Sequence, residues 1–303
     1  MRPRHGLTTG AAVAALALLA ACTPTPSTPA TGDDAATGAS STRQEAVVAQ
    51  GTPAPAPSAG VEVVPANPYE RPAWLHTVPL EVTENGLAEP VDTPEELRDR
   101  RLEPRPGAHP DPESDDWFVE ITDVPEDVLA RSSWHDECPI AAEDLAYVVM
   151  PFWGFDEQPH TGEMVIAAEH AEAVAGVFAL MYERRFPIEE MRVTTVDEVG
   201  GTHYGDLNVT IAFECRQVTG GFEAWSEHAK GVAIDINPFQ NPFFRDGFVF
   251  PELASAYLDR SWLRPGMIET HMAIVAAFEE IGWSWGGSWD HLDDWMHFSA
   301  SGL

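Results

Sequence analysis

Residues 226–237 read S-E-H-A-K-G-V-A-I-D-I-N, and they decide the fold prediction for this chain. Val232–Ile236 alternates as a β-strand does, with successive side chains on opposite faces. His228 and Asp235 are seven residues apart, so they cannot be neighbours on one strand. A turn at Gly231 would fold them onto one point. Their imidazole nitrogen and carboxylate oxygen both suit Zn²⁺, although a histidine beside a glycine turn also serves purely structural roles.

A second informative stretch, 282–298, reads G-W-S-W-G-G-S-W-D-H-L-D-D-W-M-H-F. His297 would be a third ligand, because two histidines and one carboxylate leave the fourth zinc position open for water. Asp294 precedes His297 by three residues and would serve as general base and then general acid. Asp293 competes for this role, and the three-residue offset favours Asp294. The tryptophans either line a cleft or pack in the core.

The two stretches resemble the zinc D-Ala-D-Ala carboxypeptidase and L-Ala-D-Glu peptidase family, which includes VanY-like enzymes. The first resembles the S-x-H-x-x-G-x-A-x-D element, and the second resembles the W-G-G-x-W … D-x-x-H-F ending, in the same order and spacing. A weaker resemblance covers roughly Trp117–Leu303. It implies an α+β fold of the hedgehog and D-Ala-D-Ala peptidase type, with a small, mostly antiparallel sheet and flanking helices.

The resemblance also implies the roles of individual residues. His228, Asp235 and His297 correspond to the zinc ligands, and Asp294 corresponds to the catalytic carboxylate. Arg216 resembles an upstream arginine that steadies the substrate or the developing oxyanion, for which a fixed guanidinium is suited. A structural ion pair is the alternative role for Arg216.

Two polar side chains are candidates for the surroundings of this site. Ser226 could bond to groups near His228, and His160 in Pro159–Gly162 could line the cleft. The function implied is zinc-dependent cleavage of peptidoglycan stem peptides, as a carboxypeptidase or an endopeptidase. The alternative is a non-catalytic zinc-binding module of the same fold that recognises cell-wall peptides.

The remaining pattern predicts helices and short strands without a βαβ rhythm, which favours an α+β fold. Helices are expected where apolar residues recur at helical spacing, at Ala168–Arg185 and Met267–Ile281. Strands are expected at Trp117–Ile121, Asp144–Phe155, Glu163–Ile166, Arg192–Val199, Val232–Ile236 and Trp295–Phe298.

The amino-terminal residues predict export. A short basic region precedes an apolar run, Ala11–Ala21, that is shorter than the ~20 residues of a membrane span and suits a signal peptide. The run ends in L-A-A-C, which resembles the bacterial lipobox and predicts lipidation of Cys22; an ordinary secretory signal is the alternative. We expect a signal peptide at 1–21, a Pro/Ala/Thr-rich tether at 22–60, a partly ordered extended segment at 61–116 and the peptidase domain at 117–303.

The composition of the chain limits the classes of partner that it is expected to bind. The 303-residue chain has a net charge of −32 and a single lysine, Lys230, which argues against nucleic acid because little could neutralise phosphates. Apart from Cys22, the cysteines are Cys138 and Cys215, which an exported chain is expected to join in a disulfide. We therefore expect an extracytoplasmic protein, held to the cell membrane by a lipid anchor, that meets peptidoglycan peptides.

Overall fold

The computed structural model describes residues 67–83, 88–199, 201–218, 224–290 and 292–303. The signal peptide at 1–21, the lipidation site Cys22 and the tether at 22–60 lie outside these residues. Within the described part of the chain, no helix is both long and apolar enough to cross a bilayer.

The longest strands form an antiparallel sheet in the order β1-β2-β3, with β1 at Glu120–Asp123, β2 at Leu145–Trp153 and β3 at Pro159–Ala167. Every residue of β2 is buried, as expected for a continuous apolar run covered on both faces. The predictions of strands at Asp144–Phe155 and Glu163–Ile166 are confirmed. The strand predicted at Trp117–Ile121 begins three residues later, at Glu120.

Four α-helices are present in the described residues: α1 at Glu126–Arg131, α2 at Ala171–Glu183, α3 at Val196–Val199 and α4 at Ala273–Glu280. The predicted apolar face of α2 is confirmed by four side chains that are each at most 3% exposed, Val174, Val177, Phe178 and Met181. They join the main core together with Ile274, Val275 and Phe278 of α4. The second predicted helix is shorter than expected, because its regular part begins only at Ala273.

The strand predicted at Arg192–Val199 is wrong, because its second half is the helix α3. Thr195 and Glu198 explain the difference through a reciprocal cap: Glu198 N donates to Thr195 Oγ1 (3.4 Å), and Thr195 N donates to Glu198 Oε2 (2.9 Å). This capping box satisfies amide groups at the start of a helix. The local hydrogen bonds therefore outweigh the alternating pattern, and Val196 remains 60% exposed.

Two small antiparallel sheets carry three of the residues predicted to do chemistry, Asp235, Asp294 and His297. The first has the order β4-β9-β7, with β4 at Ala233–Asp235, β7 at Ser284–Trp285 and β9 at His297–Ser299. The second has the order β6-β5-β8, with β5 at Phe243–Arg245, β6 at Phe248–Phe250 and β8 at Asp293–Asp294. The architecture is thus α+β with small antiparallel sheets and few helices.

The described part of the extended segment, from residue 67 to 116, packs on the rest of the chain. Leu97 and Leu102 are buried in a second core cluster together with Phe239 and Tyr257. Its only helical element among the described residues is a short 3-10 turn, Glu95–Leu97. This segment therefore contributes apolar area to the core although it has little regular structure.

Arg100 ties this segment to the fold through a buried ion pair. Its side chain is 1% exposed, and its Nε and Nη2 atoms donate to both carboxylate oxygens of Glu189 at 2.8 and 2.7 Å. A third bond runs from Arg100 Nη1 to the main-chain oxygen of Asp206 (3.0 Å). Because a bidentate guanidinium–carboxylate pair has fixed geometry, it holds the segment in one register on the domain.

Candidate metal centre

Asp235 lies between the two histidines that the sequence singled out. The β4–β9 register places Asp235 directly opposite His297, and their Oδ1 and Nδ1 atoms are 3.0 Å apart. The other carboxylate oxygen, Oδ2, is 3.2 Å from His228 Nε2. All three residues are at most 8% exposed, and their potential ligand atoms lie within 4.8 Å of one another.

The turn that the sequence predicts at Gly231 brings His228 to Asp235. Gly231 has a φ of 69°, and a Cβ at this position would lie 2.6 Å from the main-chain nitrogen of Ala167. Both the left-handed conformation and the close approach therefore require glycine. Ser226 caps the preceding 3-10 helix, Glu227–Lys230, by accepting a hydrogen bond from His228 N at 3.3 Å, so it acts on the backbone of the ligand.

A main-chain oxygen orients each imidazole. His228 Nδ1 is 2.7 Å from the carbonyl oxygen of Ala212, and His297 Nε2 is 3.0 Å from the main-chain oxygen of Leu303. Because such a main-chain oxygen only accepts, these ring nitrogens carry the protons and donate. The opposite nitrogens, His228 Nε2 and His297 Nδ1, therefore face Asp235, which is the arrangement usual for metal-binding histidines.

The charged groups at this centre shift one another's pKa values. Burial alone would raise the pKa of Asp235, but the charges and hydrogen bonds of His228 and His297 outweigh it and hold this pKa far below its usual range. Burial alone would lower the pKa of His297, yet the hydrogen bond and charge of Asp235 together with the charge of Asp294 raise it to about 9. The centre therefore contains a permanent carboxylate, and a metal ion would displace a proton from His297.

Asp294 is a half-buried residue whose Oδ1 atom is fully buried and has no hydrogen-bond partner among the residues that the structure describes. The strand pairing of β8 with β5 places Asp294 opposite Phe243, and a Cβ at Gly286 would lie 2.6 Å from its main-chain oxygen. Burial raises its pKa to about 7; the charge of Asp235 adds to this rise, whereas His297 and Arg216 oppose it. A carboxyl with this pKa can take up and release a proton near neutral pH.

Arg216 follows a disulfide, since Cys138 and Cys215 are joined with Cα atoms 5.8 Å apart. The Arg216 guanidinium donates from Nε to Glu214 Oε2 at 3.0 Å, and its main-chain oxygen accepts from Ser226 N at 3.1 Å. Its charge also acts on Asp294. The ion pair that the sequence left as an alternative role is therefore present, on a side chain close enough to influence the candidate base.

The structure separates the remaining candidates from this centre. His160 bonds to the carboxylates of Asp156 and Asp111, each at 3.1 Å, so its hydrogen bonds do not run to the metal-binding group. A second group with metal-ligand chemistry, His135 with Cys138 and Cys215, has both its sulfur atoms in the disulfide.

The donor set fits a divalent zinc ion. Zinc in catalytic sites takes three protein ligands from histidine and carboxylate side chains and keeps one open position. His228, Asp235 and His297 supply this set, and both imidazoles have the supporting carbonyl bonds. Asp294 Oδ1 adds a buried acceptor without a partner, as expected for a group that would bond to an attacking water molecule.

Some contributors to the centre carry no signal in the sequence. The oxygens of Ala212 and Leu303 belong to the main chain, so no side-chain pattern could reveal them. Glu227 received no role from its position beside His228, but its carboxylate bonds to Lys230 and to Ser301. The ring of Trp289 lies 5.7 Å from that of His297, and only the expectation of aromatic walls pointed to it.

The comparison with protein families agrees with this geometry. A family model described as D-alanyl-D-alanine carboxypeptidase matches residues 219–300, which is less than a third of the chain and narrower than the resemblance drawn from Trp117 onwards. No curated protein and no solved structure matches the chain. The matched range contains all three candidate ligands and Asp294, whereas Arg216 precedes it. The match supports placing this part of the chain in the D-alanyl-D-alanine carboxypeptidase family.

Proposed function

We propose that this protein is a zinc-dependent peptidase that cleaves the stem peptides of peptidoglycan. The family match supports a peptidase that acts on D-Ala-D-Ala, and cleavage as an L-Ala-D-Glu type endopeptidase is the second form that the motifs allow. The observation that carries the proposal is the buried carboxylate oxygen of Asp294, which has no partner in the described part of the chain, beside the group formed by His228, Asp235 and His297.

Zinc, when bound by these three residues, would supply a Lewis acid that polarises the scissile carbonyl and lowers the pKa of water. Asp294 Oδ1 would take a proton from the attacking water and return it to the leaving amine. In the metal-free chain the pKa of this carboxyl is about 7, and the charge of a bound zinc ion would lower it, so that the carboxylate is ionised and ready to accept a proton at neutral pH.

Arg216 would contribute positive charge where the carbonyl oxygen becomes negative. Its bond to Glu214 fixes one edge of the guanidinium, and the Cys138–Cys215 disulfide fixes the neighbouring backbone. Arg216 would therefore act as a preorganised electrostatic group, and it needs no proton transfer for this role.

A non-catalytic zinc-binding module of the same fold is the competing function. Such a module requires the three ligands but gains nothing from a buried carboxylate with a raised pKa, since an unpaired buried acid costs folding free energy. The presence of Asp294 in this state therefore favours catalysis.

The experiment that tests the function is digestion of purified muropeptides by the zinc-loaded protein, with mass spectrometry of the products. Release of terminal D-alanine identifies a carboxypeptidase, and separation of L-Ala from D-Glu identifies the endopeptidase. If Asp294→Asn produces the same products at the same rate as the unaltered protein, the assigned chemistry is wrong. If the unaltered protein leaves every muropeptide intact, the binding module becomes the better account.

The proposed location is outside the cytoplasm, with a lipid on Cys22 and the Pro/Ala/Thr-rich stretch at 22–60 between this anchor and the domain. Cys22→Ser should release the protein from membranes or leave its signal peptide uncleaved. Unchanged membrane association of this variant in its own host would rule out the anchor.

A further inference from the structure

We propose that the turn at residues 300–303, which follows β9, is a positioning element for His297, and that the main-chain oxygen of Leu303 decides which imidazole nitrogen is presented to zinc. The inference rests on the proposed zinc site. It adds to that site a structural element outside the ligands and outside the candidate base.

The hydrogen bond to Leu303 determines the tautomer of His297. Its Nε2 atom is 3.0 Å from the oxygen of Leu303, and a main-chain oxygen accepts a hydrogen bond but cannot donate one. The proton of the neutral ring therefore lies on Nε2, and the lone pair lies on Nδ1, which faces Asp235. Loss of the Leu303 oxygen would free the ring to adopt the other tautomer, in which Nδ1 carries the proton and cannot bind zinc.

The two imidazoles differ in the part of the molecule that orients them. The carbonyl that orients His228 belongs to Ala212, which is 2% exposed and lies in the main core. The oxygen that orients His297 belongs to Leu303, a residue that is 74% exposed. One imidazole is therefore held by the core and the other by a surface turn, so only the second can be altered without disturbing the core.

Hydrogen bonds from serine side chains hold this turn in place. Ser299 Oγ donates to the Leu303 oxygen at 2.9 Å, and Leu303 N donates to Ser301 Oγ at 3.3 Å. Ser301 also bonds to the carboxylate of Glu227, which belongs to the same short 3-10 helix as His228. The helix that carries one ligand thus holds the turn that orients the other.

The expected consequence is a change in zinc affinity at constant fold. Groups that orient a metal ligand from outside the ligand set typically contribute 10- to 100-fold to metal affinity. Ala300 packs against the main core, whereas residues 302 and 303 are not members of that cluster, and Leu303 is 74% exposed. Removal of residues 302 and 303 should therefore weaken zinc binding while thermal unfolding of the metal-free protein changes little.

The experiment compares four proteins by competition for zinc with a chromophoric chelator: the unaltered chain, a chain ending at Ser301, Leu303→Ala and His228→Ala. The shortened chain lacks the Leu303 oxygen, and its affinity should fall about 10- to 100-fold. Leu303→Ala is the matched control, because it keeps the oxygen and removes only an exposed side chain, so its affinity should not change. His228→Ala gives the reference for a lost ligand.

The absorption spectrum of the cobalt-substituted proteins gives a second readout, because it reports ligand geometry. The shortened chain should differ from the unaltered chain, and Leu303→Ala should not. If the shortened chain fails to fold, Ser301→Ala in the full chain replaces it, and Ser301→Thr should restore affinity because it keeps the hydroxyl group.

The outcomes separate this inference from the proposed function. If the unaltered chain binds no zinc, the proposed function and this inference both fall. If it binds zinc and the shortened chain binds zinc equally well with the same cobalt spectrum, the inference alone is overturned. An equal loss in Leu303→Ala would also overturn it, because the side chain and not the main-chain oxygen would then be responsible.

Discussion

Asp235 bridges the two candidate zinc-binding imidazoles: Oδ1 is 3.0 Å from His297 Nδ1, and Oδ2 is 3.2 Å from His228 Nε2. One strand pairing, β4 with β9, and one turn, at Gly231, are sufficient to produce this arrangement. The carboxylate therefore organises the centre in the metal-free chain and would be the anionic member of the three candidate ligands.

The described residues contain one such group with free ligand atoms, so we expect one zinc ion per chain. His228→Ala removes one of three protein ligands and should lose most of this zinc after dialysis, because three-ligand sites depend on each member. Elemental analysis measures the ratio. His170→Ala is a control, because this histidine packs edge-on against Trp283 and is not a member of the candidate ligand group. Full zinc retention in His228→Ala would refute the ligand assignment.

The buried pair of Arg100 and Glu189 makes the extended segment important for stability. Arg100→Met should lower the free energy of unfolding by about 3–5 kcal/mol, because it leaves a buried carboxylate without its main partner. We expect a loss of stability at the lower end of this range, because Arg71 still forms an ion pair with Glu189 at 3.0 Å. Urea denaturation measures the loss.

The adjacent Arg101 provides the control for this experiment. Its side chain is 40% exposed and pairs with Asp99 on the surface, so Arg101→Met should change stability by less than about 1 kcal/mol. Equal effects of the two variants would show that the segment does not depend on the buried ion pair.

The disulfide should contribute both to stability and to the placement of Arg216. It joins residues 77 positions apart, for which the chain-entropy relation gives roughly 4 kcal/mol. Cys138→Ala opens the bridge without changing a residue next to Arg216. We expect a lower urea midpoint and slower turnover with zinc content retained, since all three ligands lie elsewhere. An unchanged midpoint and turnover would contradict both roles.

The raised pKa of Asp294 predicts how the metal-free protein responds to pH. A carboxyl whose folded pKa of about 7 exceeds its unfolded value of about 4 binds more protons in the folded state. Stability therefore falls as pH rises between these two values. Asp294→Asn should remove the contribution of this carboxyl to the loss of stability with rising pH. The metal-free variant should therefore be more stable than the unaltered chain at pH 7.5, by about 1–2 kcal/mol. This value is reduced for solvent screening, because the residue is only half-buried.

Thermal unfolding of metal-free samples at pH 4.5 and pH 7.5 measures this effect. The difference between Asp294→Asn and the unaltered chain should be small at pH 4.5 and clear at pH 7.5. Asp293→Asn, at the neighbouring position, is the matched control and should show no such dependence. If Asp294→Asn destabilises the protein equally at both values, the carboxyl is not held in a state of raised pKa.

The sequence predicted the parts of the fold that depend on side-chain periodicity. The apolar face of α2 and the buried run of β2 are set by residue order alone, and the turn at Gly231 follows from glycine's conformational freedom. The prediction of a strand at Arg192–Val199 was wrong because specific hydrogen bonds between Thr195 and Glu198 favour the start of a helix. An alternating apolar pattern is only a weak indication of a strand by comparison. Element patterns did not show that the largely irregular segment before residue 117 packs in the core.

The residues of the candidate site were also only partly predictable from the sequence. Residue type and spacing brought together His228, Asp235, His297 and Asp294, because zinc chemistry restricts the donors. The groups that orient them were not predictable, because the oxygens of Ala212 and Leu303 are main-chain atoms that every residue possesses. Such contacts depend on tertiary structure alone.

The most direct test of the central claim compares Asp294→Asn with Asp235→Asn in zinc content and in turnover of a purified muropeptide. Asp294→Asn keeps the shape and the three ligands, so it should retain zinc and lose about 10²- to 10⁴-fold in turnover, the usual cost of removing a general base. Asp235→Asn removes the anionic ligand and should lose zinc as well as activity. If Asp294→Asn loses zinc as Asp235→Asn does, Asp294 is a ligand and the assigned roles are wrong; if it keeps zinc and full turnover, Asp294 is not the base.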